Sequence, residues 1–273
     1  MSDINLIQKL EKDALETRKY IVNHAIHNES HLSSQLCATD IFTSLYQWFL
    51  NYNSKDPNWH DRDFFLLGKA HASLVLYYLL AKNGFFPLKN LDNYEQIGSS
   101  MGTNVSHKVP GVEASQGSLG HGLSLGTGMA IIAKKENRKS RIVTLVGDGE
   151  LHEGSNWEAI MLAPNLKLDN MLTILDNNGF IGSSPVAESV SLEPVHKKFE
   201  SFGWATKRIN GNNMSEIIST LSSFPFEKDS PSCIVADTTV GKGVPFLEND
   251  VNKRGSLISL TEEEGKKALE VLQ

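Results

Sequence analysis

The sequence predicts an α/β protein: a doubly wound, mostly parallel sheet flanked by helices, with a helical layer at the N-terminus. Short, continuous runs rich in β-branched residues alternate with helical segments, which is typical of a parallel sheet covered on both faces. Two such runs, 141–146 and 170–176, flank one short helical segment, as in a β-α-β crossover. Hydrophobic residues make up 40% and charged residues 21% of the 273 positions, which fits a folded globular domain.

The first third of the chain is predicted to be mainly helical. Apolar residues recur at steps of three and four between Ile7 and Ile26 and mark one face of a long helix. A second helix is expected from Thr39 to about Leu50, because Thr39 or Asp40 can cap its free N–H groups. The apolar run Phe64–Leu67 predicts a strand, and a helix is expected from Ser73 to Asn83.

Beyond a long polar loop near Leu88, helices and strands are expected to alternate regularly. The predicted elements are a helix ending near Asn137, strand Arg141–Val146, helix Trp157–Leu162, strand Asn170–Asp176, helix Pro194–Phe202, an extended segment Trp204–Ile209, helix Ser215–Ser222, strand Ser232–Thr238 and a last helix from Thr261. Thr261 and Glu264 are spaced as a capping box. Residues 1–273 are therefore predicted to form one domain, with 241–273 as a C-terminal loop and helix extension.

Composition excludes several classes of function. The net charge of −6 argues against nucleic acid as a partner, because such domains usually carry clustered Lys and Arg. The two cysteines, Cys37 and Cys233, lie far apart and encode neither a disulfide framework nor a zinc site. No apolar run approaches the ~18 residues of a membrane span, and the N-terminus lacks an apolar signal region. We therefore expect a cytoplasmic protein without a membrane partner.

One pair of motifs carries the predicted chemistry. Gly147-Asp148-Gly149 ends one buried strand, and Asn177-Asn178 ends the next. Parallel strands place their carboxyl ends, and their ligands, at one edge of the sheet, where glycines allow a diphosphate close to the backbone. Asp148 and Asn178 offer the hard oxygens that Mg²⁺ prefers, and the carbonyl of Phe180 could add a third. Either motif alone would be read as an ordinary turn; the pairing on consecutive strands makes the metal site specific.

The motif pair resembles that of thiamine-diphosphate enzymes, and five segments resemble the N-terminal domain of transketolases. They follow the family order from about Glu29 to Asp250: SHLSSQLCATDIFTSLY, DRDFFLLGKAHASLVLYYLLAKNG, HKVPGVEASQGSLGHGLSLGTGMA, VGDGELHEGSNWEAIMLAPNLKLDNMLTILDNNG and TTVGKGVPFLEND. The resemblance implies thiamine diphosphate as the cofactor, with Mg²⁺ or Ca²⁺ held by Asp148, Asn178 and the carbonyl of Phe180. The implied cofactor-binding residues are His71, Gly117, Ser118, Leu119, Gly147, Asp148, Gly149, Glu150, Asn178 and Phe180.

The same resemblance assigns histidines and a glutamate to catalysis. His31 matches the first active-site histidine of the family, and His71 would contact the diphosphate or the reacting carbon. Glu153 matches a glutamate that helps to position the cofactor-activating glutamate of the partner domain. His107 and His121 lie near Gly-rich loops and are candidate substrate residues, against the alternative that they are solvated surface groups.

The chain lacks one part of the expected active site. A glutamate must hold the aminopyrimidine of the cofactor in its active tautomer, and transketolases carry it on a second α/β domain. This chain stops before such a domain. The resemblance therefore implies one subunit of a split transketolase, active only with a companion subunit that carries the pyrimidine-binding domain. The expected assembly is an α₂β₂ heterotetramer with a small ketose or keto acid as substrate.

Two departures from the family pattern bear on the substrate. Thr103 replaces a donor-binding histidine, and Lys253-Arg254 replaces a Trp-His pair; Arg254 would suit a carboxylate or phosphate. A retuned donor pocket and simple drift both remain open. Two other functions also remain: a decarboxylating, acyloin-forming thiamine-diphosphate enzyme that uses an α-keto acid, and a non-catalytic interaction subunit.

Overall fold

A computed structural model describes residues 3–182, 184–249 and 257–273 of the chain. Its centre is a five-stranded, entirely parallel sheet in the order β1-β2-β3-β7-β6. These strands are β1 (Phe64–Leu67), β2 (Ile142–Gly147), β3 (Met171–Asn177), β6 (Ala205–Asn210) and β7 (Ser232–Asp237). A short antiparallel hairpin, β4 (Phe180–Ile181) with β5 (Ser184–Pro185), follows β3. The prediction of an α/β, mostly parallel sheet is confirmed.

Helices cover both faces of the sheet. They are α1 (Asp3–His27), α2 (Leu32–Ser44), α3 (Ser73–Lys82), α4 (His121–Lys135), α5 (Gly154–Asn165), α6 (Val195–Ser201), α7 (Met214–Ser222), α8 (Pro245–Asn249) and α9 (Glu262–Val271). One hydrophobic cluster packs α1, α2, α3 and α7 on one face, and a second packs α4, α5 and α6 on the other. Burying apolar area on both faces is the main stabilisation of such a sheet.

The strand residues divide between the two clusters in strict alternation. In β2, Val143 and Leu145 belong to the first cluster, whereas Ile142 and Val146 belong to the second. Successive side chains of a strand point to opposite faces, so a strand covered on both sides must be apolar throughout. This is why the central strands read as continuous apolar runs in the sequence.

Most predicted elements are confirmed to within a few residues, but the predicted start of the second helix is wrong. Helix α2 begins at Leu32 rather than Thr39, and a π-helical turn, Leu45–Phe49, extends it. The polar residues at its start are typical of a loop, yet every residue of α2 is buried. Asp40 does not cap a helix; its carboxylate accepts hydrogen bonds from Arg18 Nη1 and Nη2 at 2.8 and 2.6 Å.

The C-terminal segment packs back onto the N-terminal layer. Helix α9 lies against α1, where Gly265 leaves room for the side chain of Ile26. The predicted capping box of Thr261 and Glu264 is present at the start of α9. Arg254, with the neighbouring residue 253, lies outside the described residues. Among the helices that the structure describes, none is both long and apolar enough to cross a membrane.

A close backbone approach fixes the start of α4 against the end of β1. A Cβ built on Gly122 would lie 2.8 Å from the Cα of Gly68, closer than real Cβ atoms come. Because the obstacle is backbone, no side-chain rotation can relieve it. The two glycines therefore bring the N-terminus of α4 to the carboxyl edge of the sheet.

We predict that Gly122→Ala lowers the free energy of unfolding by about 1–3 kcal/mol, the usual cost of overpacking. Gly128→Ala is the matched control in the same helix, because a Cβ at Gly128 meets nothing within 4 Å. That variant should gain about 0.5–1 kcal/mol, since alanine is the better helix former. Urea unfolding measures both; equal effects of the two substitutions would contradict the backbone contact.

Candidate functional site

A cleft of about 270 Å³ opens at the carboxyl edge of the sheet. It is formed by residues that follow β1, β2 and β3, together with the start of α2 and the hairpin after β3. Nearly all the residues predicted for the metal and cofactor line it: His31, His71, Leu119, Gly147, Asp148, Gly149, Glu150, Asn178 and Phe180. The structure thus brings together residues that are far apart in the sequence.

Asp148 and Asn178 meet because β2 and β3 are neighbouring parallel strands. Gly147 pairs with Asp176 in the sheet, so each functional residue comes directly after its strand. Asp148 Oδ1 accepts from the N–H of Gly149 at 2.9 Å, and Oδ2 accepts from the N–H of Gly179 at 2.6 Å. These two bonds hold the carboxylate across the gap between the two turns.

The donor set fits a hard divalent cation. Burial, and after it the charge of Asp176, raises the pKa of Asp148 to about 6, so a cation beside this carboxylate would stabilise its charged form. Asn178 Oδ1 accepts from the N–H of Phe180 at 3.0 Å and keeps a second lone pair. No group of three or more His, Cys, Asp or Glu side chains gathers as metal ligands in the described part of the chain. One carboxylate, one amide and one carbonyl would leave the remaining positions of Mg²⁺ to phosphate oxygens and water.

A buried ion pair forms the floor of the cleft. Lys69 Nζ donates to a carboxylate oxygen of Asp176, to the carbonyl of Ser34 at 2.8 Å and to Cys37 Sγ at 3.2 Å. The Lys69 and Asp176 side chains are 2% and 0% exposed. Burial alone would favour the neutral amine, but contact with Asp176 and Cys37 raises the pKa of Lys69. The ammonium is therefore fixed beneath a site suited to an anion.

Two histidines form one wall of the cleft. The rings of His31 and His71 lie 4.8 Å apart, and Ser34 Oγ is 2.9 Å from His71 Nε2. Burial, together with the nearby charge of Lys69, lowers the pKa of His71 to about 3. Burial also lowers the pKa of His31. Both imidazoles are therefore neutral near pH 7, and each can donate one hydrogen bond and accept another.

The carboxylate of Glu150 is enclosed by backbone. Its Oε1 accepts from the N–H of Gly120 at 3.0 Å, and its Oε2 accepts from the N–H of Gly147 at 3.3 Å. Burial raises the pKa of Glu150 to about 7. This side chain connects the turn before α4 with the turn after β2.

Other predicted residues lie outside the cleft lining. Gly117 and Ser118 are exposed on the turn that leads to Leu119, and Glu153 is exposed at the start of α5. His107 contacts Ser115 Oγ at 2.8 Å, and His121 contacts the carbonyl of Leu119 at 3.3 Å. Thr103 donates to Glu95. Their roles stay predictions, as does that of Arg254.

The structure also adds residues that sequence reasoning missed. Ser34, Lys69, Ile181, Gly182 and Val240 line the cleft. Lys69 had a detectable signal, because a lysine between an apolar strand and an apolar helix is poorly placed for solvent. Val240 had none, because its position follows from the path of the loop after β7.

Known proteins share this sequence and fold over most of the chain. Residues 10–271 match the family model described as "Transketolase, thiamine diphosphate binding domain". One of the two chains of an apulose-4-phosphate transketolase, named as a subunit, from Actinobacillus succinogenes is 38% identical, over 91% of this chain and 91% of its own length. The 6-deoxy-6-sulfo-D-fructose transketolase subunit SqwG of a Clostridium species is 32% identical, over 89% of this chain and 88% of its own length.

Full-length transketolases match over part of their length. A crystal structure of the Campylobacter jejuni enzyme superposes with a TM-score of 0.88 at 31% identity, over 97% of this chain but 43% of that one. Human transketolase is 34% identical, over 82% of this chain and 36% of its own length. The present chain therefore corresponds to less than half of a full-length transketolase.

We predict that Lys69→Met lowers the free energy of unfolding by about 3–5 kcal/mol, because it leaves Asp176 charged and buried. The double variant Lys69→Met/Asp176→Asn should lose clearly less than the sum of the two single losses. Lys134→Met is the matched control: it removes a partly exposed ion pair with Asp169 and should cost about 1 kcal/mol or less. Additive losses in a denaturant double-mutant cycle would rule out the coupling.

Proposed function

Because the chain belongs to the transketolase family through its thiamine-diphosphate-binding domain, we propose that it is one subunit of a split transketolase. In this proposal it holds the diphosphate and divalent metal of thiamine diphosphate and is inactive alone. With its companion it transfers a two-carbon ketol or related acyl unit to an aldehyde acceptor. The observation that carries the proposal is the meeting of Asp148 and Asn178 at neighbouring strand ends, in a cleft lined by glycine backbone.

Each wall of the cleft has a distinct task in this proposal. Asp148, Asn178 and the carbonyl of Phe180 would hold Mg²⁺ or Ca²⁺ at the diphosphate. When bound, the thiazolium ring of the cofactor supplies an electron sink for the carbanion of the transferred unit. Neutral His31 and His71 would donate hydrogen bonds to oxygens of the reacting carbons. The contact with Ser34 holds the ring of His71 in one orientation.

A companion subunit is needed because the aminopyrimidine half of the cofactor requires a glutamate from a second domain. The similar proteins of matching length are themselves named as transketolase subunits, which supports this two-chain arrangement. A cytoplasmic α₂β₂ heterotetramer, with active sites between unlike subunits, is the assembly that we propose. Glu153, exposed beside the cleft at the start of α5, would face that companion.

An exposed apolar face beside the cleft supports such a contact. Leu125 and Ile132 on α4 are 46% and 51% exposed, and Met161 and Leu162 on α5 are 54% and 45% exposed. Helices α4 and α5 pack against each other, so these side chains share one surface. Contiguous exposed apolar surface of this kind marks a protein–protein contact.

We predict that Asp148→Ala abolishes metal-dependent binding of thiamine diphosphate, since it removes the one carboxylate of the proposed metal site. Asp169→Ala is the control, because Asp169 precedes β3 at the opposite edge of the sheet. Calorimetric titration of the chain with Mg²⁺ and thiamine diphosphate measures both. Unchanged affinity in Asp148→Ala would refute the site, and a wild-type chain that binds no cofactor would refute the proposed function.

The donor is expected to differ from standard ketose phosphates, because Thr103 and Arg254 replace histidines of the family pattern. The similar proteins named for apulose 4-phosphate and 6-deoxy-6-sulfo-D-fructose support a non-standard ketose for this chain as well. We predict that the pair reconstituted with the product of the adjacent reading frame turns over xylulose 5-phosphate poorly. Steady-state kinetics against an authentic split transketolase tests this, and comparable turnover would contradict it. Release of carbon dioxide from pyruvate would instead favour the acyloin-forming alternative.

A further inference from the structure

The Glu150 carboxylate joins three backbone segments that surround the cleft. It accepts from the N–H of Gly120, which precedes α4, and from the N–H of Gly147, which ends β2. A Cβ built on Gly68, after β1, would lie 2.6 and 2.7 Å from its two oxygens. The residue is 3% exposed, so this arrangement is packed on all sides.

The backbone of Glu150 is itself fixed. Asn156 Nδ2, from the first turns of α5, donates to the carbonyl of Glu150 at 2.6 Å. Gly120 has a φ of +87°, a conformation that favours glycine, and a Cβ there would lie 2.5 Å from the Cβ of Glu153. Both ends of the connection are therefore rigid.

A charged carboxylate is poorly suited to bind a diphosphate directly. It offers only hydrogen-bond acceptors, as does the diphosphate, and like charges at short range repel. Each Glu150 oxygen is instead engaged by a backbone N–H. The residue must therefore act through the turns that it holds.

Those two turns carry different parts of the proposed site. The turn 117–119 immediately precedes Gly120, and Asp148 immediately follows Gly147. The distance between the diphosphate turn and the metal turn is thus set by one side chain. Because a phosphate and a metal must meet within tenths of an ångström, a small separation of the turns would weaken both contacts.

We propose that Glu150 is a positioning residue, not a cofactor ligand, and that it sets the spacing between the diphosphate turn and the metal-binding turn. This inference rests on the proposed function of the chain. Glu150→Gln tests it, because glutamine keeps one acceptor and points an N–H donor at the other backbone N–H. One of the two connections is lost while the size of the side chain is kept.

The matched control is Glu113→Gln. Glu113 is another buried carboxylate, paired with Arg62 before β1 at the opposite edge of the sheet. Calorimetry of each full-length variant with Mg²⁺ and thiamine diphosphate, and with Mg²⁺ and inorganic pyrophosphate, gives the affinities. Urea unfolding without ligand gives the stability, which a merely structural role would change in both variants alike.

We expect Glu150→Gln to weaken both affinities about 10–100-fold, as loss of a supporting residue does at metal sites, and Glu113→Gln to stay within about twofold of wild type. A Glu150→Gln affinity within about twofold of wild type would overturn the inference, as would equal losses in the two variants. If Glu150→Gln does not fold, Glu150→Asp, too short to reach both N–H groups, is judged by the same criterion. A wild-type chain that binds neither ligand would refute the proposed function instead.

Discussion

The carboxyl edge of the sheet depends on the buried pair of Lys69 and Asp176. Lys69 follows β1, Asp176 lies in β3, and the lysine also donates to the carbonyl of Ser34 in α2. One ammonium group thus ties two strands that are not adjacent in the sheet to the helix that covers them. A buried charge is tolerated only with a partner, so neither residue can change alone. The positions of His71, two residues after Lys69, and of Asn178, two residues after Asp176, follow from this pair.

Much of the fold could be predicted from the sequence, because the central strands are apolar on both faces and the helices have clear periodicity. The start of α2 could not. Ser33, Ser34 and Gln35 are polar, and their burial becomes visible only when the sheet and the cleft are assembled above them. Local polarity predicted a loop, and tertiary packing made a helix that carries Ser34 to His71.

The site divides in the same way. Asp148 and Asn178 were predictable because residues that follow adjacent parallel strands must meet at one edge. The connections that depend on loop paths were not: Val240 reaches the cleft from the segment after β7, and Glu150 reaches back to Gly120. Sequence spacing gives the order of such residues but not which backbone groups their side chains will meet. Thr103, His107 and His121 lie on such loops, and their tasks rest on resemblance alone.

The uncovered leucine, isoleucine and methionine side chains of α4 and α5 have a consequence for how the chain exists in a cell. An exposed apolar surface is a liability for aggregation and for recognition by quality-control factors until it is covered. A chain made in excess of its companion would remain in that vulnerable state. Balanced synthesis of the two chains is therefore a requirement of colloidal stability as much as of catalysis.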